Sequence, residues 1–148
     1  MTPMKLILLT QVFATLFMVG LIWFVQIVHY PLYANVGREQ FSEYEALHNR
    51  MTTWVVGPAM LVELVTAVML LKYSPNASPM LAWMGLGLLI VIWGSTAALS
   101  VPAHDVLTAG FAEGAYRKLV NTNWIRTFAW TARGVILMVI TYRNFGTD

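Results

Sequence analysis

Four apolar stretches, at residues 6–28, 52–71, 80–101 and 124–142, constrain this chain more than any other feature of it. Crossing the hydrocarbon core of a bilayer as a helix takes about 20 such residues. In lipid a backbone must satisfy its own hydrogen bonds, which a helix does. The expected fold is therefore all-α, a four-transmembrane-helix bundle forming one membrane domain over residues 1–148. Composition agrees, with 58% hydrophobic and only 11% charged residues, against roughly 25% charged in a soluble domain. The first stretch resembles a signal peptide only superficially. Its apolar run is too long, and no small-x-small cleavage site precedes His29-Tyr30-Pro31, so it reads as a retained span.

The connections differ in kind. Residues 72–79 make a short turn with Pro75, Asn76 and Pro79, so spans two and three are an antiparallel hairpin. Residues 30–51 and 102–123 are long and rich in polar and aromatic side chains. Four crossings put both long connections on one side of the membrane, and the termini with the short turn on the other. Each long connection is expected to hold a short interfacial helix. In residues 38–51, Phe41, Tyr44, Leu47, His48 and Met51 recur at helical spacing opposite Glu39, Glu43 and Arg50. That helix is expected to run into span two, with Pro58 bending the junction. Residues 111–120 form the second. Long mixed-charge connections are readily translocated, which points to cytoplasmic termini and long connections on the opposite face.

Several function classes fall away. The chain has no cysteine, which removes thiol catalysis, disulfides, iron–sulfur clusters and cysteine zinc sites. Its nine basic residues are scattered for a net charge of +2, so nucleic acid is not an expected partner. The bilayer is, and a homo-oligomer or a larger membrane complex is compatible with so short a chain.

Ionisable groups within spans carry structural pairing or function. Glu63 and Arg133 lie eleven and nine residues into spans that start on the same side, roughly 13–17 Å deep at 1.5 Å per residue. They are expected to form a buried ion pair near the midplane, since an unpaired charge there costs several kcal/mol. Gln11, Thr15, Gln26 and His29 form a polar stripe on span one. Asn123, Arg126, Trp130 and Arg133 form another on span four, and lipid can satisfy neither. Gly87, Gly94 and Ala98 on span three read as a close helix-packing face.

All three histidines fall on the long-connection side. His29 ends span one, His48 precedes span two with Glu45 three residues earlier, and His104 follows Pro102 with Asp105 beside it. Imidazole with carboxylate suits one transition metal ion (zinc, iron, manganese or copper) held by His29, His48, His104 and Glu45. A di-iron site would need a second Glu-x-x-His and two more glutamates. Metal-free acid–base work by His48, Glu45 and His104 is the other option. Arg126, Asn123 and Trp124 would then hold a small hydrophobic, aromatic or quinone-like ligand by charge and stacking. Histidines gathered at one end of the bundle do not suit a bis-histidine haem.

Pro31, Pro58, Val101-Pro102-x-His104 and Asn123-x-x-Arg126-Thr127, in a frame of four short spans, resemble the anthrone-oxygenase-like family of small membrane proteins. The likeness runs along most of the chain, and Asn-x-x-Arg-Thr is its most specific piece. The resemblance implies a four-helix membrane fold and, from the family's best-known members, oxidation of anthrones to anthraquinones. Where the family commonly has an asparagine two places after Val-Pro, this chain has His104. Sequence thus points to an oxidoreductase or oxygenase-type enzyme acting on a small aromatic or lipid-soluble substrate. The rival expectation is a non-enzymatic small subunit or assembly factor of a larger membrane complex. A transporter is disfavoured by the absence of repeat symmetry.

Overall fold

The protein structure, a computed structural model, describes residues 2–73 and 79–145. Every regular element among the described residues is helical. Helix α1 (Pro3–Phe24) begins at Thr2, whose side chain caps it, and continues through a π-helical segment (Val25–His29), α2 (Tyr30–Leu32) and a 3₁₀ turn (Tyr33–Asn35). Helix α3 spans Phe41–Tyr73. Helix α4 (Pro79–Ser95) runs through a second π segment (Thr96–Ser100) into α5 (Val101–Thr108), and α6 spans Glu113–Phe145. Three of these rods are long and apolar enough to cross a membrane: Pro3–Asn35, Phe41–Lys72 and Pro79–Thr108. The fourth is as long, but Arg126 and Arg133 lie along its apolar part.

Several expectations change in detail. The sequence suggests a break at His29-Tyr30-Pro31, yet the helix passes through it. Proline at position 31 would strike the carbonyl four residues earlier in a regular α-helix. The π segment opens the turn just before it, with the Tyr30 amide bonding back to the Val25 carbonyl. Pro102 is handled identically: it follows the second π segment by two residues, and the Val101 amide bonds to the Thr96 carbonyl. The short interfacial helices are not separate elements. Residues 41–51 are the first turns of α3, 113–120 the first turns of α6, and 38–40 form a turn. The buried face of early α3 holds Phe41 and Glu45, while Leu47 and Met51 are exposed. The expected turn at 72–79 falls largely on residues 74–78, outside the described residues.

Helix α1 packs between α3 and α6, and α4 packs closely on α6 but more loosely on α3. Mid-bundle, Met18, Ile22, Met60, Leu89, Ile92 and Trp130 form an apolar cluster. At one end, Tyr30, Tyr33, Phe41, Leu107 and Leu119 form an aromatic cap built from both long connections. Phe41 meets Phe111 edge-on at 4.9 Å, and the Arg38 guanidinium lies over the Phe111 ring at 3.4 Å. Gly110, at φ 143°, makes the turn that brings Phe111 back over the cap, a conformation that costs other residues strain.

The small-residue face of span three is a correction. Gly87 and Gly94 face open space, where a methyl group on either would meet nothing within 4 Å, and Ala98 is exposed. The glycine that permits close approach is Gly85, whose carbonyl accepts a 2.6 Å bond from Arg133 Nη1. The expected face sits two residues off, because a uniformly apolar helix shows no periodic signal for which side is inward.

Candidate functional site

The ionisable pair in the bundle interior has the expected geometry. Arg133 Nε donates to Glu63 Oε1 at 3.1 Å, and both side chains are buried. Glu63 also accepts from the Thr15 hydroxyl and, through Oε2, from Trp130 Nε1 at 2.9 Å. Gln11 joins the cluster by donating to Thr15 and accepting from Thr66. A carboxylate with both oxygens engaged by fixed donors is a structural anion. Its geometric effect is to lock the Trp130 ring in place.

Toward the aromatic cap lies a longer chain of polar groups. The π segment turns Gln26, His29 and Tyr30 inward, and His104 projects from α5 beneath the second π segment. His104 Nδ1 contacts Glu45 Oε1 closely, and the Tyr30 hydroxyl lies 3.0 Å from His104 Nε2. Arg126 Nη2 donates to the Tyr30 oxygen at 3.2 Å and also to Asn123 Oδ1. Asn123 in turn donates to Gln26 Oε1 at 2.8 Å, while Gln26 donates to the Val120 carbonyl. One proton arrangement is consistent along the chain from Glu45 to Arg126. His104 carries its proton on Nδ1 toward Glu45, its free Nε2 accepts from Tyr30, and the Tyr30 oxygen accepts from Arg126.

His29 and His48 form a second pair, Nε2 to Nδ1 at 2.9 Å, and the Thr52 hydroxyl lies 3.1 Å from His48 Nδ1. The Tyr33 ring meets both imidazoles edge-on, at 5.3 and 5.6 Å. Glu45 is fully buried and its Oε2 has no hydrogen-bond partner of good geometry. The Tyr33 hydroxyl is equally without one.

A cavity of about 420 Å³ opens onto this relay. Tyr30, His48, His104 and Arg126 line its polar end, and Met18, Met60 and Trp130 its inner end. Its walls include Thr53, Trp93 and Val101, all exposed at the bundle surface. The cavity therefore opens sideways through the loose seam between α3 and α4–α5. A smaller cavity of about 210 Å³, lined by His29, His48 and Met51 among others, lies on the α1/α3 side of His48.

The structure thus gathers His29, Glu45, His48 and His104 at one end of the bundle, with Arg126 beside them. They meet in two hydrogen-bonded pairs, Glu45 with His104 and His29 with His48. Among the described residues, no three or more His, Cys, Asp or Glu side chains are arranged to hold a metal ion, and both His104 ring nitrogens are already engaged. Asn123 does not line the cavity; it orients Arg126. Trp124 stands apart, packed edge-on against Trp23 at 5.7 Å and stacked on Phe128 at 5.2 Å. Sequence reasoning missed Tyr30, the residue that links His104 to Arg126. Its spacing of four residues from Gln26 on the polar stripe was the available signal.

Fold and site together define an all-helical chain, three of whose rods can cross a membrane, with a buried polar relay facing a lateral cavity. No protein-family model, curated protein or solved structure matches it.

Proposed function

We propose that the protein is a four-span membrane oxidoreductase that deprotonates a small, lipid-soluble aromatic substrate so that dioxygen can oxidise it. The observation that carries this reading is the Glu45–His104–Tyr30–Arg126 chain ending on the wall of the 420 Å³ cavity. Helix α6 serves as the fourth span. Its two inner arginines are buried and bonded within the bundle, while Phe128, Val135 and Met138 face outward. The long connections then share one side of the membrane, and the termini lie on the other, cytoplasmic, side.

Chemically, the Tyr30 oxygen takes a proton from an acidic C–H of the substrate as its own proton moves to His104 Nε2. Glu45 holds the imidazole in the required tautomer and balances the imidazolium that forms. Arg126, beside the Tyr30 oxygen, stabilises the enolate oxygen of the substrate. For an anthrone, the substrate class implied by the family resemblance, the carbanion carbon forms a C–O bond with dioxygen. The second C–H and the O–O bond then break. The ring methylene becomes a carbonyl, and the two carbon-bound hydrogens leave with the other oxygen atom as water.

The test is reconstituted protein supplied with anthrone in air, following anthraquinone formation and oxygen uptake together. One dioxygen consumed per anthraquinone formed, lost in His104→Gln, supports the proposal; rates equal to empty vesicles overturn it. The outward Gly87–Gly94–Ala98 face of α4 and the π segment after it favours one second reading, a non-enzymatic subunit of a larger complex. That reading requires a stoichiometric membrane partner and no turnover.

A further inference from the structure

The cavity has a direction. Measured along α3 it runs from Asn49 to Met60, about 16 Å at 1.5 Å per residue. Its polar groups collect at the aromatic-cap end, where Tyr30, His104 and Arg126 stand. Its inner end, at Met18, Met60 and Trp130, belongs to the mid-bundle apolar cluster. The Trp130 ring is held there by Glu63, so the floor is fixed as well as apolar. The opening is lateral, with exposed Thr53 on one rim and Trp93 and Val101 on the other. Its size also exceeds what a bare ring needs. A dry cavity of roughly 150 Å³ holds benzene, against about 420 Å³ here.

From this gradient we infer that the natural ligand is a membrane-resident amphiphile: an aromatic head with a phenol, enol or quinone oxygen, carrying an apolar chain. It arrives sideways from the bilayer through the α3/α4–α5 seam. The head docks at Tyr30, His104 and Arg126, and the chain lies along Val56 and Met60 toward Trp130. Such a ligand keeps the orientation it has in a bilayer, with oxygens near the interface and chain toward the midplane, so it moves in without inverting. The inference deepens the proposed function and rests on its assignment of the polar end as the head site.

The experiment uses the full chain in lipid nanodiscs, titrated with 4-methylphenol and 4-pentylphenol, with concentrations expressed per lipid so that partitioning cancels. The pentyl probe should bind at least tenfold tighter. Val56→Phe, which fills the chain path, should weaken the pentyl probe at least fivefold and the methyl probe less than twofold. Should Val56→Phe lower the thermal midpoint, Thr53→Trp at the exposed rim serves the same comparison. A bromine at the chain terminus should quench Trp fluorescence, and the quenching should fall in Trp130→Phe. Equal affinity of the two probes, or equal losses in Val56→Phe, would overturn the inference. Arg126→Gln separates it from the reading beneath: a chain preference that persists with no effect of that change would overturn the proposed head site and leave the amphiphile cavity standing.

Discussion

The Tyr30 hydroxyl and the His104 imidazole meet at 3.0 Å, although 74 residues separate them in sequence. Each follows a π-helical segment relaxed around a proline, Val25–His29 before Pro31 and Thr96–Ser100 before Pro102. A π turn rotates the residues after it relative to those before. On α1 this brings Tyr30 inward beside Gln26, and on α4–α5 it aims His104 at Glu45. The same backbone feature, used twice, assembles the two halves of the relay.

Tyr30→Phe keeps the ring in the aromatic cap, where it packs against Tyr33 at 5.5 Å, and removes only the oxygen shared by His104 and Arg126. Turnover should fall at least about 100-fold, in the range for loss of a positioned acid–base group. Stability should fall by only about 1–2 kcal/mol, the cost of leaving buried partners unmatched. Parallel assays of activity and thermal unfolding in detergent check both numbers.

Glu45→Gln removes the charge that fixes the His104 tautomer but leaves the side-chain volume. Expected is a kcat loss of about 10²- to 10⁴-fold with KM nearly unchanged, because Glu45 does not line the cavity. Steady-state kinetics decide it; a rise in KM with kcat intact would place Glu45 in binding instead.

Glu63 and Arg133 provide a stability test. Removing either alone strands a buried charge and should cost about 3–5 kcal/mol, whereas replacing both with apolar residues should cost less than the sum. Trp130 and Thr15 lose a partner in Glu63→Leu as well, so that single variant should be the worse of the two. Thermal midpoints of the two single variants and the double variant supply the cycle, and strictly additive losses would contradict the coupling.

The two long connections pack on one another at a single end of the bundle, with Ser42 close to Gly110. Since the chain has no cysteine of its own, single cysteines at Ser42 and Ala112 can be labelled cleanly. Both should react with an impermeant maleimide from the same side of sealed vesicles. Reaction from opposite sides would contradict the four-span arrangement.

Much of this was legible in the sequence, for identifiable reasons. Apolar runs of span length and the wide separation of polar groups within them announced the rods, and parity grouped the three histidines at one end. Glu63 and Arg133 could be paired from depth alone, because helical rise is fixed. Rotation about a helix axis was harder to read. On α4 every face is apolar, so Gly85 rather than Gly87 and Gly94 turned out to approach α6. Trp124 sits one helical step from Asn123 yet faces Trp23 and Phe128. Tyr30 was hidden because His29-Tyr30-Pro31 reads as the end of the first span, which left its four-residue spacing from Gln26 outside the helix.

The central claim is that Tyr30 and His104 move a substrate proton, and hydrogen exchange tests it without oxygen or any later step. Anthrone deuterated at its ring methylene would be incubated anaerobically with reconstituted protein, following loss of deuterium to water. Wild-type protein should accelerate exchange well above that of empty vesicles, and Tyr30→Phe should slow the accelerated part at least about 100-fold. Exchange equal to empty vesicles, or unchanged in Tyr30→Phe, would contradict the relay as the site of chemistry.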